Sequence, residues 1–166
     1  MGSPDAKKSR QVAALPYRFE EGELRVLLVT SRETQRWIIP KGWPMKGKKP
    51  HRAAEREALE EAGVKGRIDR RAIGHYEAWK RLTDHFILCN VKVYPLEVRE
   101  QRKKWREQGE RRAVWFKAVD AADLVDEPGL RTIIRAFAQG AAQVLGGRYP
   151  AVAGSAGTPH ARELAP

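Results

Sequence analysis

A chain of 166 residues holds one domain with a real core and is short for two. Its 42% hydrophobic and 32% charged residues are those of a globular protein, and no apolar run approaches the roughly 18 residues that a membrane span needs. The net charge of +11 implies attraction to polyanions, whether nucleic acid, anionic lipid or a phosphate-rich small molecule; a basic surface without a specific partner gives the same number.

Residues 1–9 are polar and basic without periodicity and are expected to be disordered; no apolar stretch follows that would serve as a secretory signal. Gln11 to Phe19 and Leu24 to Thr30 read as strands, and Trp37-Ile38-Ile39 as a short one stopped by Pro40. A loop punctuated by Gly42, Pro44 and Gly47 follows, from Lys41 to Lys49. Pro50 suits the first turn of a helix, His51 to Ala62 is dense in good helix formers, and Gly63 fits the end of it. Further strands are expected at Gly66–Ala78, His85–Val93 and Ala113–Phe116. Asp120 is expected to cap a short helix through Val125, and Gly129–Leu145 to close the domain as an amphipathic helix. Between Glu97 and Arg112 the chain is charged without an apolar stripe, which reads as a solvated loop or a flap over substrate. The tail 146–166, rich in Ala, Gly and Pro, is expected to be disordered, leaving one domain over 10–145. The element order predicts an α/β (α+β) sandwich with helices on both faces of a mixed sheet. Cys89, the single cysteine, sits in a strand-like run and reads as core; a lone thiol fits a reducing compartment, so the cytoplasm is expected.

Glu57, Glu60 and Glu61 fall at i, i+3 and i+4, which puts three carboxylates on one helix face. Like charges at that spacing, near a C-terminus that disfavours anions, oppose the helix. A hard divalent cation reverses the balance, since magnesium takes oxygen ligands from one or two carboxylates and shares them with substrate phosphates. An acidic solvated face is the plain alternative.

Gly42 followed by Arg56-Glu57-Ala58-Leu59-Glu60-Glu61-Ala62-Gly63-Val64 resembles the Nudix box: Gly, five residues, Glu, seven residues, then Arg-Glu-U-x-Glu-Glu-x-Gly-U, with U a bulky aliphatic. The chain departs from it at Lys48, where the first glutamate belongs, and at Ala58, where an aliphatic belongs. Val26-Leu27-Leu28-Val29, Ser31-Arg32, Arg36-Trp37-Ile38-Ile39-Pro40 and Val114-Trp115-Phe116-Lys117 are most similar to the diphosphoinositol polyphosphate phosphohydrolase branch, over roughly Arg10 to Ala122.

The resemblance implies a Nudix-type α/β/α sandwich and a hydrolase of phosphoanhydride bonds, with Mg2+ (or Mn2+) as cofactor. Its metal ligands would be Glu57, Glu61 and the Gly42 carbonyl. Glu60 would accept the proton, with Glu107 and Glu110 as alternatives, and Arg56 would orient the glutamates. Arg10, Ser31, Arg32, Lys41, Lys46 and Arg81 are expected to bind substrate, with Lys8, Lys48, Lys49 and Lys80 in the same basic surroundings. Trp43 and Tyr76 either stack on a base or belong to the core. The expected partner is a polyanionic, phosphate-rich small molecule of the diphosphoinositol polyphosphate or dinucleoside polyphosphate type. Two rivals remain at this level: a nucleic-acid-binding or RNA 5′-end-processing Nudix protein, and an isopentenyl diphosphate isomerase, for which Cys89 on a strand is a poor proton donor.

Overall fold

The computed structural model describes residues 9–145; the expectations for Lys8, the rest of the N-terminal segment and the tail 146–166 lie outside them. The described residues form β1 (Ser9–Glu20), β2 (Glu23–Thr30), β3 (Trp37–Ile38), β4 (Lys41–Gly42), α1 (Pro50–Ala62), β5 (Val64–Ile68), β6 (Gly74–Arg81), β7 (Phe86–Gln101), β8 (Ala113–Lys117), α2 (Ala118–Leu124) and α3 (Pro128–Leu145). None of the helices is long and apolar enough to cross a membrane.

The sheet is mixed. β1 runs parallel to β7, from Ser9 opposite Cys89 to Tyr17 opposite Glu97, while the other pairings among the described strands are antiparallel. The free edge of β7 is shared, first by β6 and then by β5; the far edge of β1 is shared by β4 and β2. Strand periodicity sorts the core into two layers. Ala13, Leu15, Val26, Leu28, Val91 and Val93 face α2 and α3. Val12, Ala14, Leu27, Val29 and Leu96 face α1 through its buried alanines Ala53, Ala54, Ala58 and Ala62. Ala58, the mild departure from the box, is fully buried there, where a small side chain brings helix and sheet close.

Four boundaries differ from the sequence reading. The run 66–78 is two strands, because Asp69 accepts the Arg71 amide at 2.9 Å in a local turn of exposed charged residues. β7 continues to Gln101, so 97–101 is strand and not loop: it pairs with β5 through a bulge at Gly66, where a side chain would strike the Glu97 carbonyl. Lys41 and Gly42 leave the loop to pair with Ala13 and Val12. Asp120 does not cap α2; Lys117 takes that position, and Asp120 sits in the first turn, where an acid suits the dipole.

Candidate active site

The site is assembled at the C-terminal half of α1. Pro50 opens that helix, and Gly63 closes it at φ 69°, its amide returned to the Ala58 and Leu59 carbonyls. A side chain at Gly63 would also collide with the Trp105 indole, so the segment after β7 packs directly on the helix end. That segment supplies donors to carbonyls the helix cannot satisfy: Arg102 N–H to Gly63 O at 2.8 Å and Glu107 N–H to Glu60 O at 3.0 Å. The segment read as a solvated loop or a flap is therefore fastened to α1 by its backbone.

Two of the three glutamates converge. Glu57 and Glu61, one turn apart, stand close enough that each alters the other's proton affinity. Burial raises the proton affinity of both; for Glu61, only 3% exposed, burial and Glu57 outweigh the opposing Arg111. Gly42 backs onto this pair so tightly that an added Cβ would overlap Glu57 Oε2, and the Lys41 amide approaches Glu61 Oε1 at 3.4 Å. Glu60 takes a different course, held by the Arg56 guanidinium one turn back and by Arg106 at 3.6 Å.

Arg111 was not singled out by the sequence. Its buried guanidinium lies 2.8 Å from Glu107 Oε1, 3.9 Å from Glu61 Oε1, and donates to the Thr30 carbonyl at 3.1 Å. Glu107 thereby joins the carboxylate pair through a shared cation. Only its place in a run of charged residues, Glu107 to Arg112, could have marked it.

The expected substrate contacts do not all gather at one point. Lys41 sends its ammonium to Gln11 Oε1 at 3.1 Å; burial and then Lys80 lower its pKa, while Glu61 and Glu127 oppose. Arg10 and Lys46 are exposed and make no ion pair with a described residue. Arg32 pairs with Glu110 at 3.0 Å, and the Ser31 hydroxyl is engaged in its own turn with Thr34 and the Arg36 amide. Arg81 lines a separate open depression with Glu33 and His85. Tyr76 is core at 3% exposure, whereas Trp43 is 43% exposed. Cys89 is buried and its thiol is pushed up by burial, which leaves it unreactive.

The Glu57 and Glu61 carboxyl groups beside the Gly42 backbone offer oxygen ligands, the donor chemistry of a hard divalent cation. Among the described residues no three His, Cys, Asp or Glu side chains converge into a cage. A carboxylate pair beside a glycine's backbone fits magnesium, which keeps waters and substrate oxygens in its shell, better than a metal that needs a full protein cage.

A mixed sheet covered on both faces, with an acidic helix fastened beside a two-residue strand, is the fold of the Nudix hydrolases. The structure of the C. elegans Ap4A hydrolase binary complex superposes with a TM-score of 0.62 at 21% identity, over 81% of this chain and 98% of that one. A NUDIX hydrolase from Nitrosomonas europaea gives a TM-score of 0.63 at 19% identity, over 81% of this chain and 90% of that one.

Residues 7–137 match the family model described as NUDIX domain, and the chain belongs to the Nudix family. It is 36% identical over 120 residues to diphosphoinositol polyphosphate phosphohydrolase 3-beta of Bos taurus, covering 71% of this chain and 69% of that protein. It is 28% identical over 130 residues to Nudix hydrolase 21, chloroplastic, of Arabidopsis thaliana, covering 76% of this chain and 64% of that protein. The chain thus spans about two thirds of the length of the curated relatives it matches.

Proposed function

We propose that this protein is a divalent-metal-dependent hydrolase that cleaves a phosphoanhydride bond in a densely phosphorylated small molecule. The observation that carries the reading is the Glu57–Glu61 pair: a buried and a half-buried carboxyl group set together beside Gly42, a costly arrangement that a cation would offset. Glu57, Glu61 and the Gly42 carbonyl would hold the metal, Mg2+ in the first instance. When bound, such an ion neutralises phosphoryl oxygens and acidifies a water.

The chain's own residues position and screen. Arg111 compensates Glu61 and Glu107 at once, and Lys41, Arg10 and Lys46 offer positive charge to substrate phosphates. Glu60 is the proposed proton acceptor from its place in the box. Glu107 is the second candidate, favoured by its ion pair with the same arginine that faces Glu61. The substrate class is the diphosphoinositol polyphosphate or dinucleoside polyphosphate type, supported by the names of the bovine and nematode relatives and by the basic loop. The lone buried thiol supports a cytoplasmic setting.

Phosphate release across a panel of diphosphoinositol polyphosphates, dinucleoside polyphosphates, nucleotide sugars and RNA 5′ ends, with and without Mg2+, tests the reading. Turnover should require the metal, and Glu61→Gln should lower kcat/KM by roughly 10²–10³-fold while keeping the fold. Near-normal turnover in Glu61→Gln rules out the ligand set. Salt-sensitive RNA binding with no phosphate release from any member of the panel would favour the nucleic-acid-binding alternative.

A further inference from the structure

Lys48 stands where the signature has a glutamate, and the site described above gives it no task. The structure does. On the solvent side of α1 lies an open concavity of about 760 Å3 lined by Lys48, Lys49, Arg52, Arg56, Lys65 and Arg70. Arg52 and Glu57 are five residues apart, about 140° round the helix, so this hollow faces away from the carboxylate pair.

Four of its six basic residues are uncompensated. Glu55 is the one acid in the lining, and Arg52 takes it at 3.0 Å; Arg56 is engaged with Glu60. Lys48, Lys49, Lys65 and Arg70 make no ion pair with any described residue. The helix adds to the potential, because α1 begins here with no side-chain cap and no acid in its first turn. His51 lines the same hollow, and burial followed by the charges of Arg52, Lys49 and Arg70 lowers its pKa, as a positive surrounding must. Like charges collected in one hollow at the start of a helix are stabilised when an anion joins them. No Trp, Tyr or Phe is among the lining residues, so the hollow offers phosphate contacts without the stacking platforms that single-stranded nucleic acid uses.

We infer that the concavity between α1, the Lys48–Lys49 loop and β5 is a second anion site, which takes a compact, multiply phosphorylated small molecule. It lies on the far side of α1 from the Glu57–Glu61 pair and meets the hydrolytic site only at Arg56. The glutamate-to-lysine change at 48 turns a negative position in its wall into a positive one.

Tripolyphosphate titrated into the whole protein in EDTA, followed by backbone amide NMR, tests this without depending on metal. The amides of His51, Arg52, Lys65 and Arg70 should shift together and saturate. Lys65→Glu/Arg70→Glu should weaken that binding at least tenfold, with kcat/KM for the hydrolysed substrate within twofold of the parent, and Lys48→Glu should weaken it severalfold. If the double variant does not fold, Lys48→Glu alone carries the test. Absence of shifts at these amides at millimolar tripolyphosphate, or unchanged affinity in Lys48→Glu, overturns the inference. A ten-nucleotide single strand that binds the same residues more tightly than tripolyphosphate overturns the ligand class.

Discussion

The two sides of α1 hold opposite charge under opposite conditions. On one side Glu61 is buried with Glu57 half-buried beside it, and both bind a proton more tightly than a free carboxylate; on the other, lysines and arginines stand in solvent around an open hollow. Desolvation is what separates them. Exposed like charges repel weakly through water and salt, whereas buried ones shift their ionisation or demand a partner. The acidic side is therefore set to respond to a single cation by changing protonation, and the basic side to attract anions without doing so.

Among substitutions that keep both carboxyl groups, Gly42→Ala should have the largest effect on the acidic side. Its Cβ would first meet the far end of the Glu57 side chain, so the carboxylate moves and the fold stays. Displacement by about 1 Å costs roughly 10²-fold, and steady-state kinetics beside an unchanged circular dichroism spectrum would show it. Arg111→Met comes next, since it removes the cation shared by Glu61 and Glu107. Activity or metal affinity should fall about 10–100-fold, the range for groups that support ligands without binding the metal themselves. An Arg111→Met enzyme with full activity would separate Glu107 from the site.

The smallest effect is a pH dependence of stability. Both glutamates bind a proton more tightly when folded than when unfolded. Their contribution is thus most favourable in acid, and is lost as pH rises from the ordinary carboxylate range, about 4.3, through the raised folded values. In EDTA, Tm should fall over that interval, and it should fall less in Glu57→Gln/Glu61→Gln. Equal slopes in both proteins would mean that the pair is not destabilised by burial.

The acidic side was legible in the sequence because its pattern is local. Gly42, Arg56, Glu57, Glu60, Glu61 and Gly63 lie within one strand–loop–helix, and helix geometry alone brings Glu57 and Glu61 together. What the sequence did not show depends on partners far along the chain. β7 reaches Gln101 because β5 waits across from it, and 102–112 is held because the end of α1 has carbonyls to satisfy. Arg111 acquires its meaning only once Thr30, Glu61 and Glu107 surround it. The hollow was equally hidden, since Lys65 and Arg70 come from β5 and the turn after it.

Manganese titration watched by electron paramagnetic resonance, with a non-hydrolysable diphosphate present, tests the carboxylate pair most directly. The parent protein should take up Mn2+ saturably and Glu57→Gln/Glu61→Gln should lose that uptake. Equal uptake by the two proteins would contradict the assignment of these glutamates as the metal's ligands.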